Sequence, residues 1–136
     1  MKIANRIFMG YLLIVGFDST SVFAQSFSGE WDWNNAPSSR AFSLALAQRE
    51  NHINGQYCAV AQNGNKTDCD DEKNENITGD ISGNGQFATV SFSSFFGAAN
   101  GKAELRMRDG HLIWNITRMP NGGEFYAPKD AVLDRH

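Results

Sequence analysis

From residue 27 onward, apolar and polar residues alternate with a period of two, and no 3.6-residue stripe interrupts them. Phe27, Gly29, Trp31 and Trp33 alternate with Ser28, Glu30 and Asp32. After the turn-forming Asn34-Asn35-Ala36-Pro37, Phe42, Leu44 and Leu46 alternate again. Further strands are predicted around Ile53-Gly55-Tyr57-Ala59, Ile77-Gly79-Ile81, Ala88-Val90-Phe92, Ala103-Leu105-Met107 and Leu112-Trp114-Ile116, with a last short one at Ala131-Val132-Leu133. Gly- and Asn-rich segments separate them, as turns require.

The turns set registers. A two-residue turn at Asp109-Gly110 places Met107 opposite Leu112, Leu105 opposite Trp114 and Ala103 opposite Ile116. A turn at Asn84-Gly85 places Ile81 opposite Ala88, Gly79 opposite Val90 and Ile77 opposite Phe92. Each hairpin then carries one apolar face, as a half-buried antiparallel sheet does. A hairpin at Asn63-Gly64 sets Cys58 opposite Cys69, within reach of a disulfide. The alternative is a long polar loop over residues 62–75, tied back by the same bond.

Seven or eight antiparallel strands joined by short turns form a meander. Such a sheet loses its exposed edges by closing on itself. The expected fold is therefore all-β, an up-and-down meander closed into a small barrel of about eight strands; a two-sheet sandwich is the alternative.

The first 24 residues do not fit this pattern. Lys2 and Arg6 precede an uncharged run from Ile7 to Phe17, and small residues at Val22 and Ala24 follow. This is the order of a secretory signal, with cleavage expected after Ala24. The run is too short to cross a bilayer, which takes about 20 apolar residues. Residues 25–136 then form a single domain. Removing residues 1–24, and with them Lys2, Arg6 and Asp18, leaves 112 residues with ten basic and fourteen acidic groups. An acidic balance gives no electrostatic reason to bind nucleic acid. The expected location is periplasmic or secreted, without membrane insertion after cleavage. Two cysteines in an exported chain of this size suggest one disulfide. A zinc site lacks two further ligands at usable spacing.

Gly29-Glu30-Trp31 opens the first strand, and Arg135 lies just past the last. A G-x-W at one end and a basic residue at the other resemble the signature of the calycin barrels: lipocalins, fatty-acid-binding proteins and avidins. The resemblance implies that Arg135 lies across Trp31 and closes the barrel end, with Arg118 as a competitor for that role. A guanidinium over an indole is worth about 0.5–2 kcal/mol. Within that group the chain is similar to the avidins in length, in Gly55-Gln56-Tyr57 and in the placing of Trp114. It departs from them where Trp33 replaces an Asn, where only Ser38 or Ser39 stands for the family's Ser, and where Phe125 or Tyr126 replaces a Trp. Much of the biotin-recognising set is therefore absent.

No catalytic motif stands out, and no cofactor is implied. There is no G-x-S-x-G, H-E-x-x-H or phosphate-binding loop. His52, His111 and His136 flank turns or end the chain and read as solvated residues. Asp68, Asp70, Asp71, Glu72 and Glu75 form an acidic segment. It fails the calcium-loop spacing, since Lys73 and Gly79 occupy the required Gly and Glu positions. It reads as a solvated loop, or as a surface for a basic partner. Three Asn-x-Thr sequons, at Asn65, Asn76 and Asn115, are unremarkable in a chain so rich in Asn, Ser and Thr.

The aromatic residues either fill the barrel or line a cavity in it. In the second case Tyr57, Phe92, Trp114 and Trp33 are the ligand-binding set. Phe95-Phe96-Gly97 differs, because two adjacent aromatics cannot both point inward from a regular strand; one becomes a contact residue at the barrel mouth. These features support a non-catalytic binding protein for a small apolar ligand or a protein partner. The alternative is an inhibitor or immunity-type protein that neutralises a cell-wall hydrolase or delivered toxin through Asp68, Asp70, Asp71, Glu72, Phe95 and Phe96. A small hydrolase or isomerase ranks last.

Overall fold

The computed structural model describes residues 26–136; the expected signal segment lies outside the described residues. Nine strands follow in chain order: β1 (Gly29–Asp32), β2 (Ala41–Arg49), β3 (His52–Ala61), β4 (Lys66–Asp68), β5 (Ile77–Ser82), β6 (Phe87–Phe92), β7 (Gly101–Arg108), β8 (His111–Arg118) and β9 (Asp130–Arg135). Eight of them, all but β4, form a closed antiparallel barrel in which β9 returns to β1 and β2 pairs with β3. β4 is a short addition along the end of β3.

The registers are those the turns predict. Met107 faces Leu112, Leu105 faces Trp114 and Ala103 faces Ile116. Ile81 faces Ala88, Gly79 faces Val90 and Ile77 faces Phe92. The third hairpin also forms. Ala59 faces Asp68 and Ala61 faces Lys66, around a short 3-10 turn at Gln62–Gly64, and Cys58 is disulfide-bonded to Cys69 with Cα atoms 4.5 Å apart. Asn63 takes φ +57° in that turn, a left-handed position that Asn tolerates.

Alternation places one residue in two inside. Trp31, Leu44, Ile53, Tyr57, Ile77, Val90, Leu105, Leu112, Trp114 and Leu133 are fully or almost fully buried in a single core. At Gly55 and Gly79 a β-carbon would stand 2.2 Å from the Ala45 carbonyl oxygen and 2.1 Å from that of Thr89. The closely coiled wall has no room for a side chain at either position.

The two barrel ends differ. At one, tight connections follow β2, β5 and β7, and Trp31 seals the bottom. Trp31 and Arg135 are register partners across β1 and β9, so both face the same side. The Arg135 guanidinium lies 4.2 Å from the Trp31 ring centre and donates to the carbonyls of Ser28 and Ser26. The Trp31 indole donates to the Phe27 carbonyl. Arg118 is not part of this closure; it lies at the opposite end of β8 and donates to the Asn100 carbonyl. The β1–β9 seam also sets Asp32 opposite Asp134, and a histidine meets each: His136 on Asp32 and His111 on Asp134.

Candidate functional site

At the other end, the mouth, the connections β6–β7 and β8–β9 converge on Asp68, the last residue of β4. Its carboxylate is fully buried. Oδ2 accepts from the Tyr57 hydroxyl at 2.7 Å, the Ser94 hydroxyl at 3.0 Å and the Tyr126 backbone N–H at 3.1 Å; Oδ1 accepts from the Phe95 backbone N–H at 2.9 Å. A buried carboxylate is acceptable when its lone pairs are satisfied in this way. The register explains its position. Asp68 lies opposite Ala59, an inward residue, and so points inward itself. The expectation that Asp68 belongs to a solvated acidic surface is therefore corrected. Its neighbours in that segment do reach solvent, with Asp71, Glu72 and Glu75 exposed and Asp70 half-buried.

Tyr57 is held neutral. Burial, the neighbouring Asp68 charge and the bond to it together push its phenol far above the ordinary range. It serves as donor to Asp68 and has no hydroxyl left for a ligand.

The mouth connections also bind one another. Arg40, before β2, donates to the Tyr126 carbonyl at 2.6 Å, and its guanidinium lies 5.7 Å from the Trp33 ring centre. The Asn63 N–H donates to the Ser39 carbonyl. Ladder-like bonds join Ala99 to Asn121, and Gly97 bridges to Glu124. Ser94, Arg40 and the Tyr126 amide had no signal in the sequence, because loop residues obey no periodicity.

The interior is filled. Trp114 packs against Phe42 and Phe92 with ring centres 5.2 and 5.3 Å away, and Tyr57 packs against Phe42, Phe92 and Trp114 at 5.7–6.4 Å. The Trp114 indole is satisfied by the Pro128 carbonyl. Among the described residues, the five best-formed clefts lie on the outer wall and its ends, lined by neither Tyr57 nor Trp114. Tyr57, Phe92 and Trp114, expected to line a cavity, pack ring to ring. Trp33, expected with them, is half-buried at the rim beside Arg40, because it follows the last residue of β1 and leaves the barrel wall.

Phe95 and Phe96 separate as their adjacency requires. Phe95 is half-buried, its ring edge-on to Tyr57 at 6.4 Å. Phe96 is 38% exposed, standing edge-on to Tyr126 at 5.3 Å with the Lys66 ammonium 5.9 Å from its centre.

Among the described residues, no group of three or more His, Cys, Asp or Glu side chains is arranged to hold a metal ion, and no helix is long and apolar enough to cross a membrane. Comparison of the chain with family models, with curated proteins and with solved structures found no match. The class of protein is thus defined by architecture: a closed, eight-stranded antiparallel barrel with a disulfide and a buried carboxylate fastening its mouth.

Proposed function

We propose that this is an exported, non-catalytic binding protein whose barrel presents the rim of its mouth to a protein partner. The observation that carries this reading is the filled interior. With Tyr57, Phe92 and Trp114 packed on one another, recognition moves to the outer surface. The mouth is the surface best prepared for it. Its connections are fixed in advance by Asp68 and Arg40, so little freedom is lost on binding. It carries aromatic and basic side chains of the kind that anchor interfaces: Phe96, Tyr126, Trp33 and Arg40.

The calycin resemblance enters here as a likeness of architecture, supported by Arg135 over Trp31. Periplasmic or secreted residence is supported by the disulfide. An inhibitor or immunity role fits the same surface. The exposed carboxylates of Asp71 and Glu72 suit a basic partner such as a lytic enzyme, and Phe96 suits an apolar pocket on it.

The test is affinity capture from periplasmic or secreted extract with the wild-type protein and the Phe96→Asp variant in parallel, across a salt series. A partner retained by wild type, lost by the variant and weakened by salt supports the proposal. A partner held equally by both proteins rejects the rim. A small molecule found inside the barrel by native mass spectrometry and shown to quench Trp114 rejects the filled-barrel premise.

A further inference from the structure

Five side chains stand in a line across the outer wall near the mouth. The registers place Asn54 beside Thr78, Thr78 beside Ser91, Ser91 beside Lys102 and Lys102 beside Arg118. Adjacent strands lie about 4.8 Å apart, so the row is roughly 19 Å long. All five residues line one groove of about 480 Å³, together with Asn100 and Glu75. That volume is in the range of small-molecule sites.

The cationic end of this row is set against its own repulsion. Lys102 and Arg118 are direct cross-strand partners, an arrangement that disfavours like charges. They meet where the β7–β8 register shifts between Lys102 and Ala103. Among the described residues neither has a carboxylate partner within salt-bridge distance. Glu75 lines the same groove and is not within salt-bridge distance of either cation. Both cations are nonetheless held in place. The Lys102 ammonium donates to the Ser91 hydroxyl at 2.8 Å, and Arg118 Nε donates to the Asn100 carbonyl at 3.3 Å. Each keeps most of its N–H donors unused.

Two anchored cations, neither of them ion-paired, form a seat for an oxyanion. The hydroxyls of Ser91 and Thr78 and the amide of Asn54 continue that seat with groups that both donate and accept. We infer that this groove binds a sugar bearing a phosphate or carboxylate group, with Lys102 and Arg118 on the anion and Ser91, Thr78 and Asn54 on the sugar hydroxyls. The site lies on the barrel wall and is independent of a protein partner at the rim.

Amide-resolved NMR titration of the purified protein tests this, with glucose 6-phosphate, glucuronate, glucose and inorganic phosphate as separate probes. One or both charged sugars are expected to shift the amides of Thr78, Ser91, Lys102 and Arg118, with a Kd of about 1 mM or tighter. Their relative strength tells phosphate from carboxylate. Glucose and inorganic phosphate should bind at least about tenfold more weakly, a difference of ~1.4 kcal/mol. The Lys102→Ala/Arg118→Ala double variant should lose the response. Arg118→Gln, which retains hydrogen bonding, should weaken it in part. Both positions are at least partly exposed, and an unchanged circular dichroism spectrum checks the fold. The inference is overturned if neither charged sugar produces shifts, if the shifts persist in the double variant, or if inorganic phosphate binds as well as its sugar ester.

Discussion

Tyr57 donates to Asp68 at 2.7 Å, and the residues that follow them in the chain, Cys58 and Cys69, are joined by a disulfide. Two cross-links therefore tie β3 to β4 side by side. One is polar and buried in the mouth, and the other is covalent and faces the outer wall. Each can be removed separately.

Asp68→Ala strips four donors of their acceptor at once. Each buried donor left unpaired costs about 1–3 kcal/mol, though relaxation and water entry soften the total. The expected loss in urea unfolding is about 3–5 kcal/mol. Tyr57→Phe removes one bond and keeps the ring, so it should cost about 1–2 kcal/mol. A loss below about 1 kcal/mol for Asp68→Ala would show that Asp68 does not hold the mouth.

Tyr57 makes the fold sensitive to alkali. Its phenol is raised above the ordinary value of 10.0, by burial first and then by Asp68. A group raised in the folded state gives its full stabilisation below the unfolded value and loses it as the pH climbs towards the folded one. Stability should therefore decline above about pH 10, less steeply in Tyr57→Phe. Ultraviolet titration should show the Tyr57 phenolate appearing only with unfolding. Its appearance in folded protein near pH 10 contradicts the buried donor.

Removing the covalent link with Cys58→Ser/Cys69→Ser should cost about 2–3 kcal/mol, as expected for a closed loop of roughly a dozen residues. Hydrogen exchange should quicken over residues 62–76 and stay unchanged in β6 to β8. Uniform quickening would mean that the bond supports the whole barrel.

Near neutral pH the seam of β1 and β9 should respond. The bond and charge of Asp32, with a further contribution from Glu30, raise the His136 imidazole above 6.5. Its stabilising contribution is complete below that value and fades as pH rises through the raised one. An NMR titration of the histidines should show His136 titrating above 6.5 and falling back in Asp32→Asn. No change in Asp32→Asn would refute the pairing.

Arg135→Ala removes a guanidinium from the Trp31 face and two bonds to carbonyls, an expected loss of about 1–3 kcal/mol. Arg135→Lys should recover only part of it, because an ammonium lacks the planar fork that reaches Ser26 and Ser28 together. Equal stability of the two variants would assign the effect to charge alone.

Much of the barrel was legible because alternation and turn residues are local. Asp109-Gly110 and Asn84-Gly85 gave pairings that the structure repeats residue for residue. Even the burial of Asp68 was implicit, since a register joining Cys58 to Cys69 places Asp68 opposite inward Ala59. The run of acidic neighbours hides this, because charge clusters along the segment while register acts across the hairpin. Trp33 departs for the opposite reason: the alternation runs one residue past the end of β1, where the chain leaves the wall. The partners of Asp68 were beyond sequence reading. Tyr126 lies 58 residues away, on a connection whose path is fixed only when the barrel closes.

Two of the four donors on Asp68 are main-chain amides, those of Phe95 and Tyr126. Every amino acid except proline supplies such an amide. The fastening at the mouth is therefore largely indifferent to which side chains occupy positions 95 and 126, and Phe96 hangs between fixed points without carrying any of them. Side chains on the visible surface of these connections can therefore change while their backbone stays put.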